Sequence, residues 1–283
     1  MNASSRVTFR RTKDSAFKGL VVVMSFLSIV PLALILLYIA KLGLSSLSWG
    51  FFLEIPKPVG EQGGGIANAL VGTFLLVVIA ALPSIPLGIG AGIYLSENRT
   101  GTVSYWARLA VEVLQGTPSV VLGLIAYLWI VVPTGQFSAL SGGIGLGIMM
   151  LPMIIKATEE TLNLVPYALK EASLALGVPY YRTILRVILP AGASGIMTGI
   201  LISVARVAGE TAPLLFTAFG NAFMNWNVAK PVNALPLLIY NYATSPYPDW
   251  HRIAWGAACV LVGFILLLNL LVRIVTRRWK VQF

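Results

Sequence analysis

Arg206 lies deep within an apolar run long enough to cross a membrane, about 192 to 220, whereas the other Lys and Arg residues lie near the ends of such runs or outside them. Glu210 follows four positions later, on the same face of a helix, where the two side chains can pair. Pro213 cannot donate to the carbonyl of Gly209, so a kink and a free acceptor are expected there. A guanidinium binds oxyanions through two parallel hydrogen bonds. The spacing therefore predicts either an oxyanion-binding group within the membrane or a structural ion pair between helices.

Neutral polar side chains extend this candidate path. Ser203 and Thr211 belong to the same apolar run as Arg206, and Asn68 and Thr73 belong to an earlier one. Each can donate a hydrogen bond to a passing anion, or can bond the backbone of its own helix instead. Both readings stay open at the level of sequence.

A polar segment, 156–190, interrupts two apolar runs and concentrates charge. It holds seven of the thirty charged residues of a chain in which only 11% are charged, so it cannot lie in hydrocarbon. Apolar and small residues recur within it at helical spacing. We predict a helix, a turn at Gly177 and Pro179, and a short helix from about Tyr180 to Val187 that Pro190 closes.

The composition places the chain in a membrane. Of its 283 residues 57% are hydrophobic, and the mean hydropathy is +0.85, far from the values of soluble domains. A crossing of about 30 Å of hydrocarbon takes roughly 20 residues. We count six such runs, and therefore predict an all-α membrane protein with six transmembrane helices: about 19 to 44, 66 to 95, 110 to 132, 142 to 158, 192 to 220 and 252 to 275.

The distribution of basic residues orients these spans. With both termini on the cytoplasmic (inner) side, 15 of the 20 Lys and Arg lie in inner segments, as the positive-inside rule requires. This explains the net charge of +10 without nucleic acid. The predicted division begins with a partly disordered inner tail (1–18), a first transmembrane helix (19–44) and a periplasmic, or outer, loop (45–65). A core (66–275) follows, which contains the polar inner segment 156–190 and the long outer segment 221–251, and a second inner tail covers 276–283.

The outer segment 221–251 is rich in Trp, Tyr and Pro. Such residues are typical of a segment that lies along the membrane interface, and they also suit a docking site for an external partner. We predict a short helix near Leu235 to Tyr242.

Motifs of catalysis are absent from the sequence. The single cysteine, Cys259, can form neither an internal disulfide nor a cysteine metal cluster. There is no G-x-x-x-x-G-K-[ST] phosphate loop and no H-E-x-x-H, so ATP binding by that route and metalloprotease chemistry are excluded. We expect no catalytic residue, no metal site and no cofactor bound by this chain.

Two stretches resemble a known family. Glu171, Ala172 and Ser173, with Gly177 six positions after Glu171, resemble the EAA loop of ABC importer permeases. The run from Ala205 to Leu215, ARVAGETAPLL, is similar to phosphate-specific permease subunits of the PstA type. The resemblance implies the type I ABC importer permease fold in a bacterial inner membrane. Ser173 stands where the motif has a second alanine, a change that keeps the residue small.

The resemblance also implies a mechanism and partners. Segment 156–190 would be a coupling loop that docks on a separate ATP-hydrolysing subunit through Glu171, Ala172, Ser173, Gly177 and Arg182. ATP and Mg²⁺ would bind in that partner. The assembly would hold this chain, a homologous permease, two ATPase subunits and an external phosphate-binding protein, and would import inorganic phosphate. The alternatives are a permease for another oxyanion, such as sulfate or molybdate, and a secondary transporter or channel that acts alone.

Overall fold

The computed structural model of the chain describes residues 3–61 and 63–278. Parts of both predicted tails, residues 1–2 and 279–283, lie outside them. The described residues are helical, and their only β-type pairing is one isolated bridge between Phe219 and Val232. Thirteen α-helices follow one another in these two ranges: α1 (Ala3–Gly43), α2 (Trp49–Leu53), α3 (Ala67–Glu97), α4 (Thr102–Gly116), α5 (Ser119–Ala126), α6 (Val132–Thr134), α7 (Ala139–Asn163), α8 (Tyr167–Ala175), α9 (Tyr180–Thr183), α10 (Leu189–Ala208), α11 (Ala212–Thr217), α12 (Leu235–Ala243) and α13 (Pro248–Arg278).

Five of the described helices are long and apolar enough to cross a membrane: α1, α3, α7, the continuous helix from α9 through α10, and α13. The sixth candidate crossing is a bent pair, because α4 and α5 meet at 106°. The third predicted span, 110 to 132, therefore contains a sharp bend that the sequence analysis did not predict. The bend falls at Thr117 and Pro118, since the residue before a proline avoids helical geometry and Thr117 is extended.

Two wide π-helical turns, Tyr127–Val131 and Ile184–Ile188, lie just before Pro133 and Pro190. The amide that follows each turn bonds the carbonyl five residues earlier. A proline removes one donor and crowds the carbonyl four residues before it, and a widened turn relieves that conflict. Pro190 thus does not close a short helix, contrary to the prediction, and the helix runs from α9 into the membrane as α10.

The core of the fold is the contact between α3 and α7, where glycines bring the two backbones together. A Cβ at Gly92 of α3 would lie 2.5 Å from the Cβ of Thr158 on α7, and one at Gly142 of α7 would lie 2.8 Å from Leu76 Cδ2 on α3. Without a hydrophobic driving force between helices in lipid, close packing of this kind supplies the attraction. The largest buried side chains of this interface are Leu76, Leu146, Met150 and Ile154.

The outer segment folds over the outer ends of α3 and α7. The amide of Ala139, the first residue of α7, donates to Lys230 O (3.0 Å), and the next amide donates to Val228 O (2.9 Å). A helix start that is buried needs such acceptors. The predicted short helix is confirmed as α12, which packs against α13 with Tyr242 and Trp250 stacked at 4.5 Å between ring centroids.

The first helix lies on the outside of the fold. It begins at Ala3 and continues through the basic tail, so the tail is helical where the sequence predicted partial disorder; no glycine or proline interrupts it before Gly19. Most of its apolar side chains from Phe17 to Tyr38 are exposed. Only its outer end packs on α13, where a Cβ at Gly43 would lie 2.5 Å from Cys259 Cβ.

The α3–α7 contact predicts different effects on stability for two glycine substitutions in α3. Gly92→Ala places a methyl group against Thr158 and the carbonyl of Ile155, and we expect a loss of about 1–3 kcal/mol from overpacking. Gly90→Ala, with open space at its Cβ, serves as control. Thermal unfolding in detergent, followed by tryptophan fluorescence, measures both. Equal melting temperatures for the two variants would contradict the packing assignment.

Candidate functional site

The fifth crossing is broken at 209–211. The helix α10 ends at Ala208, and α11 restarts at Ala212 with Pro213 in its first turn. The kink predicted from Pro213 is confirmed, although the predicted continuous span, 192 to 220, is interrupted. The short helix α11 is held in place by α5, since a Cβ at Gly123 would lie 2.5 Å from Pro213 Cα. Irregular backbone at membrane depth is tolerated only where protein encloses it or it lines a cavity.

Arg206 and Glu210 flank this break and form an ion pair. The distance from Arg206 Nε to Glu210 Oε1 is 3.6 Å. The arginine side chain is 56% exposed in this chain, whereas that of Glu210 is 20% exposed. The carboxylate therefore lies beside Nε of the guanidinium, while more than half of the arginine side chain is at the surface of this chain. The pair predicted from sequence is present, with Glu210 in the break instead of on a continuous helix.

Three of the four neutral pathway candidates form hydrogen bonds with backbone groups. Ser203 is fully buried and donates to Gly199 O (2.7 Å). Asn68 donates to Asn221 O (2.7 Å) and to Ala222 O. These side chains stabilise the fold in this chain.

Thr73 and Thr211 occupy two further positions. Thr73 donates to Ala69 O and accepts from the amide of Leu235 (2.8 Å), so its hydroxyl ties α3 to the start of α12. Thr211 is half-buried in the break and, with Gly209, lines a cleft of about 370 Å³ against α12 and α13. Of the four neutral candidates, Thr211 lies within the break and directly follows Glu210.

At the other end of the molecule, α8 and α9 form a compact unit that we call the inner knob (residues 167–183). Gly177, at φ +74°, ends α8 in a left-handed conformation that suits glycine. Its amide donates to Leu174 O, and that of Val178 donates to Ser173 O, the two bonds of a Schellman motif. Pro179 then starts α9. The predicted helix, turn and helix are thus confirmed up to the end of α9.

Four of the predicted contact residues of the knob are exposed, and one is not. Glu171, Ala172, Gly177 and Arg182 lie on its surface. Ser173 is buried, with its Oγ 2.9 Å from Thr183 Oγ1. In this chain its small hydroxyl fits between α8 and α9 and joins them, and its contact with a partner subunit stays a prediction.

Charged side chains at the inner ends of the spans form contacts that the sequence did not reveal. Arg108 pairs with Glu159 at 2.7 Å and donates to the carbonyls of Leu95 and Arg99, which clamps the connection between α3 and α4. Glu97 accepts from both Lys170 and Tyr180. These charged residues lie at the ends of apolar runs, a pattern that indicates the membrane interface. Which residues they pair with depends on how the helices pack.

Solved structures with the same arrangement of helices are ABC transporter permeases. A chain of the MetNI methionine ABC transporter, in an inward-facing conformation, matches with a TM-score of 0.62 over 76% of this chain and 96% of that one, at 18% sequence identity. The fold is therefore that of a type I ABC importer permease, as predicted.

Sequence comparison then defines the family. The family described as binding-protein-dependent transport system inner membrane component matches residues 84–281. Phosphate transport system permease protein PstA of Yersinia pestis is 41% identical over 84% of this chain and 81% of its own length. The PstA protein of Haemophilus influenzae is 36% identical over 96% of this chain and 97% of its own length. The chain belongs to this family of inner-membrane permease components, in the group of the PstA phosphate permeases.

The burial of Ser173 leads to a prediction for the knob. Ser173→Ala leaves Thr183 Oγ1 buried without its partner, and Thr183→Val does the reverse; each is expected to destabilise the protein by about 1–3 kcal/mol. The double variant should lose less than the two single losses together, because no hydroxyl is then left unpaired. Thermal unfolding of the four proteins measures the coupling. Strict additivity would show that the two hydroxyls do not interact.

Proposed function

We propose that this chain is the transmembrane subunit of an ATP-driven importer of inorganic phosphate and forms half of the translocation pathway. The observation that carries the proposal is an arginine at a helix break within a chain that is about two-fifths identical to PstA permeases. In this proposal Arg206 meets the passing anion, Glu210 moderates its charge so that binding stays reversible, and Thr211 adds a neutral hydrogen-bond donor.

The exposure of Arg206 supports its place at a subunit seam. Counted from Gly192 at 1.5 Å per residue, Arg206 lies roughly 21 Å along the helix. An arginine at that depth costs about 2.5–3.5 kcal/mol on insertion scales, so more than half of its side chain cannot face lipid. A homologous permease subunit on this face of α10, enclosing a water-filled route, removes the penalty. The ion pair with Glu210 alone does not, because it leaves most donors of the guanidinium without acceptors.

Energy has to come from outside the chain. Moving one negative charge into a cell that is negative inside costs about 2.3 kcal/mol per 100 mV, and divalent phosphate costs twice as much. The proposed supply is ATP hydrolysis in two partner subunits, which would hold the ATP and Mg²⁺, with no cofactor on this chain. An external phosphate-binding protein would deliver the anion, which agrees with the dependence on a binding protein that the family description states.

The inner knob is the proposed contact with the ATPase. Leu176 at its tip is 84% exposed and Tyr181 is 62% exposed, beside the charges of Glu171 and Arg182. Exposed apolar residues rimmed by charge, outside the membrane, are typical of an interaction surface. The turn at Gly177 sets the angle between α8 and α9, and thus the shape that a groove on the partner would fit.

The test of this function is phosphate uptake by the complete complex in proteoliposomes, with ATP inside and the binding protein outside. Arg206→Gln should lower uptake about tenfold or more, since hydrogen bonds to charged groups contribute about 1.5–3 kcal/mol. Arg252→Gln, at an exposed position at the outer end of α13, serves as a charge-matched control. Both complexes should assemble like the wild type.

Competing anions and omission of ATP complete the assay. Sulfate and molybdate in excess should leave phosphate uptake unchanged, and uptake without ATP should be absent. Uptake by the Arg206→Gln complex at the wild-type rate would overturn the role of Arg206. Preferential uptake of another oxyanion would overturn the assignment of phosphate.

A further inference from the structure

Glu97 ties the inner knob to the inner end of α3. It is the last residue of that helix, and its Oε2 accepts hydrogen bonds from Lys170 Nζ on α8 and from Tyr180 OH on α9. The side chains of Glu97 and Lys170 are only 17% and 16% exposed. One carboxylate oxygen thus holds both helices of the knob, largely out of contact with water.

The three groups form a closed cluster. Lys170 Nζ lies 3.4 Å from Tyr180 OH and 4.9 Å from the centroid of the tyrosine ring. Burial alone would lower the pKa of Lys170, but the hydrogen bonds to Glu97 and Tyr180 and the charge of Glu97 raise it overall. Lys170 therefore stays protonated, and removal of Glu97 would leave a partly buried cation and a hydroxyl without their common acceptor.

Packing between the knob and the α3–α4 connection is incomplete, so the cluster is an important contact between them. A cleft of about 720 Å³ separates the two, and its lining comes from both sides: Ser96, Arg99 and Thr100 on the α3–α4 side, and Asn163, Pro166 and Tyr167 on the side of the knob. The cluster spans the edge of this cleft. It is a direct polar connection between the two sides of the cleft.

The opposite end of α3 holds the outer segment. Asn68, in its first turn, donates to the carbonyls of Asn221 and Ala222, and Thr73 accepts from the amide of Leu235. Between its two ends α3 is one helix of 31 residues, packed on α7 through the glycine-lined contact described above. Pro83 and Pro86 lie within this helix without interrupting it. A rigid helix packed along its length is an element that can carry a displacement of one end to the other.

We propose that Glu97 is a positioning residue that locks the inner knob to α3, so that movement of the knob is delivered through α3 to the outer segment. The inference rests on the proposed function, because it takes the knob to be the site on which the ATPase acts. Glu97 touches neither the anion nor the nucleotide in this account. Its role is to convert displacement of α8 and α9 into displacement of a membrane-spanning helix.

The experiment compares uptake with ATP hydrolysis in the complete complex. In Glu97→Ala the ratio of phosphate imported to ATP hydrolysed should fall by about tenfold, within the range of coupling free energies, while hydrolysis and copurification of the ATPase stay close to wild type. Glu160→Ala, an exposed carboxylate near the inner end of α7, is the matched control. The exchange Glu97→Lys with Lys170→Glu should restore much of the ratio, and Tyr180→Phe should lower it less than Glu97→Ala.

A distance measurement tests the connection independently of substrate. Spin labels at Thr100→Cys and Ala168→Cys, both exposed positions, in a Cys259→Ser background, should give one narrow distance with and without ATP. In Glu97→Ala that distribution should broaden or shift on ATP binding. If the wild-type complex imports no phosphate, the proposed function fails, and the label distances alone decide the role of Glu97. Any one of three results would overturn the role of Glu97. These are an unchanged import ratio in Glu97→Ala, a charge exchange that restores none of the ratio, and unchanged label distances in Glu97→Ala.

Discussion

Hydrocarbon offers no hydrogen-bond partners, and this constraint explains most of what the chain does with its backbone. The candidate crossings are helical, because a helix satisfies the donors and acceptors of its own backbone. Before Pro133 and Pro190 the helix widens into a π-turn, and at Pro118 it turns sharply, whereas Pro83, Pro86 and Pro152 lie inside continuous α-helices. Where the backbone breaks fully, at 209–211, α5 packs against the following short helix.

The same constraint distinguishes the two polar regions of the molecule. The break beside Arg206 lies within a membrane-crossing segment. A charged side chain is costly there, and such side chains typically have a functional role and face an enclosing partner. The inner knob lies in the polar segment, outside the apolar runs. Polar groups carry little desolvation penalty there, and the fold uses them to join helices. Ser173 with Thr183, and Glu97 with Lys170 and Tyr180, are examples of the second kind. The helix α3 connects the two environments, since one of its ends contacts the knob and the other contacts the outer segment.

Much of this architecture could be read from residue patterns. Apolar runs of crossing length predicted the helices: five of them contain a helix long enough to cross, and the third is a bent pair. The spacing of Arg206, Glu210 and Pro213 predicted the ion pair and the break, because i,i+4 neighbours meet on a helix and proline cannot donate. Gly177 followed by Pro179 predicted the turn of the knob. All of these features depend on contacts between residues near one another in the chain.

The partners of the remaining polar residues were decided by tertiary structure alone. Asn68 and Thr73 were candidates for an anion path, yet they bond backbone groups more than 150 positions away. Glu97 gave no sign of its contact with Lys170, 73 positions later. Amino-acid sequence by itself determined which segments enter the membrane and where helices break, since hydropathy and proline act locally. Which side chains face one another depends on how the helices pack, and that follows from shape complementarity along whole surfaces such as the α3–α7 contact.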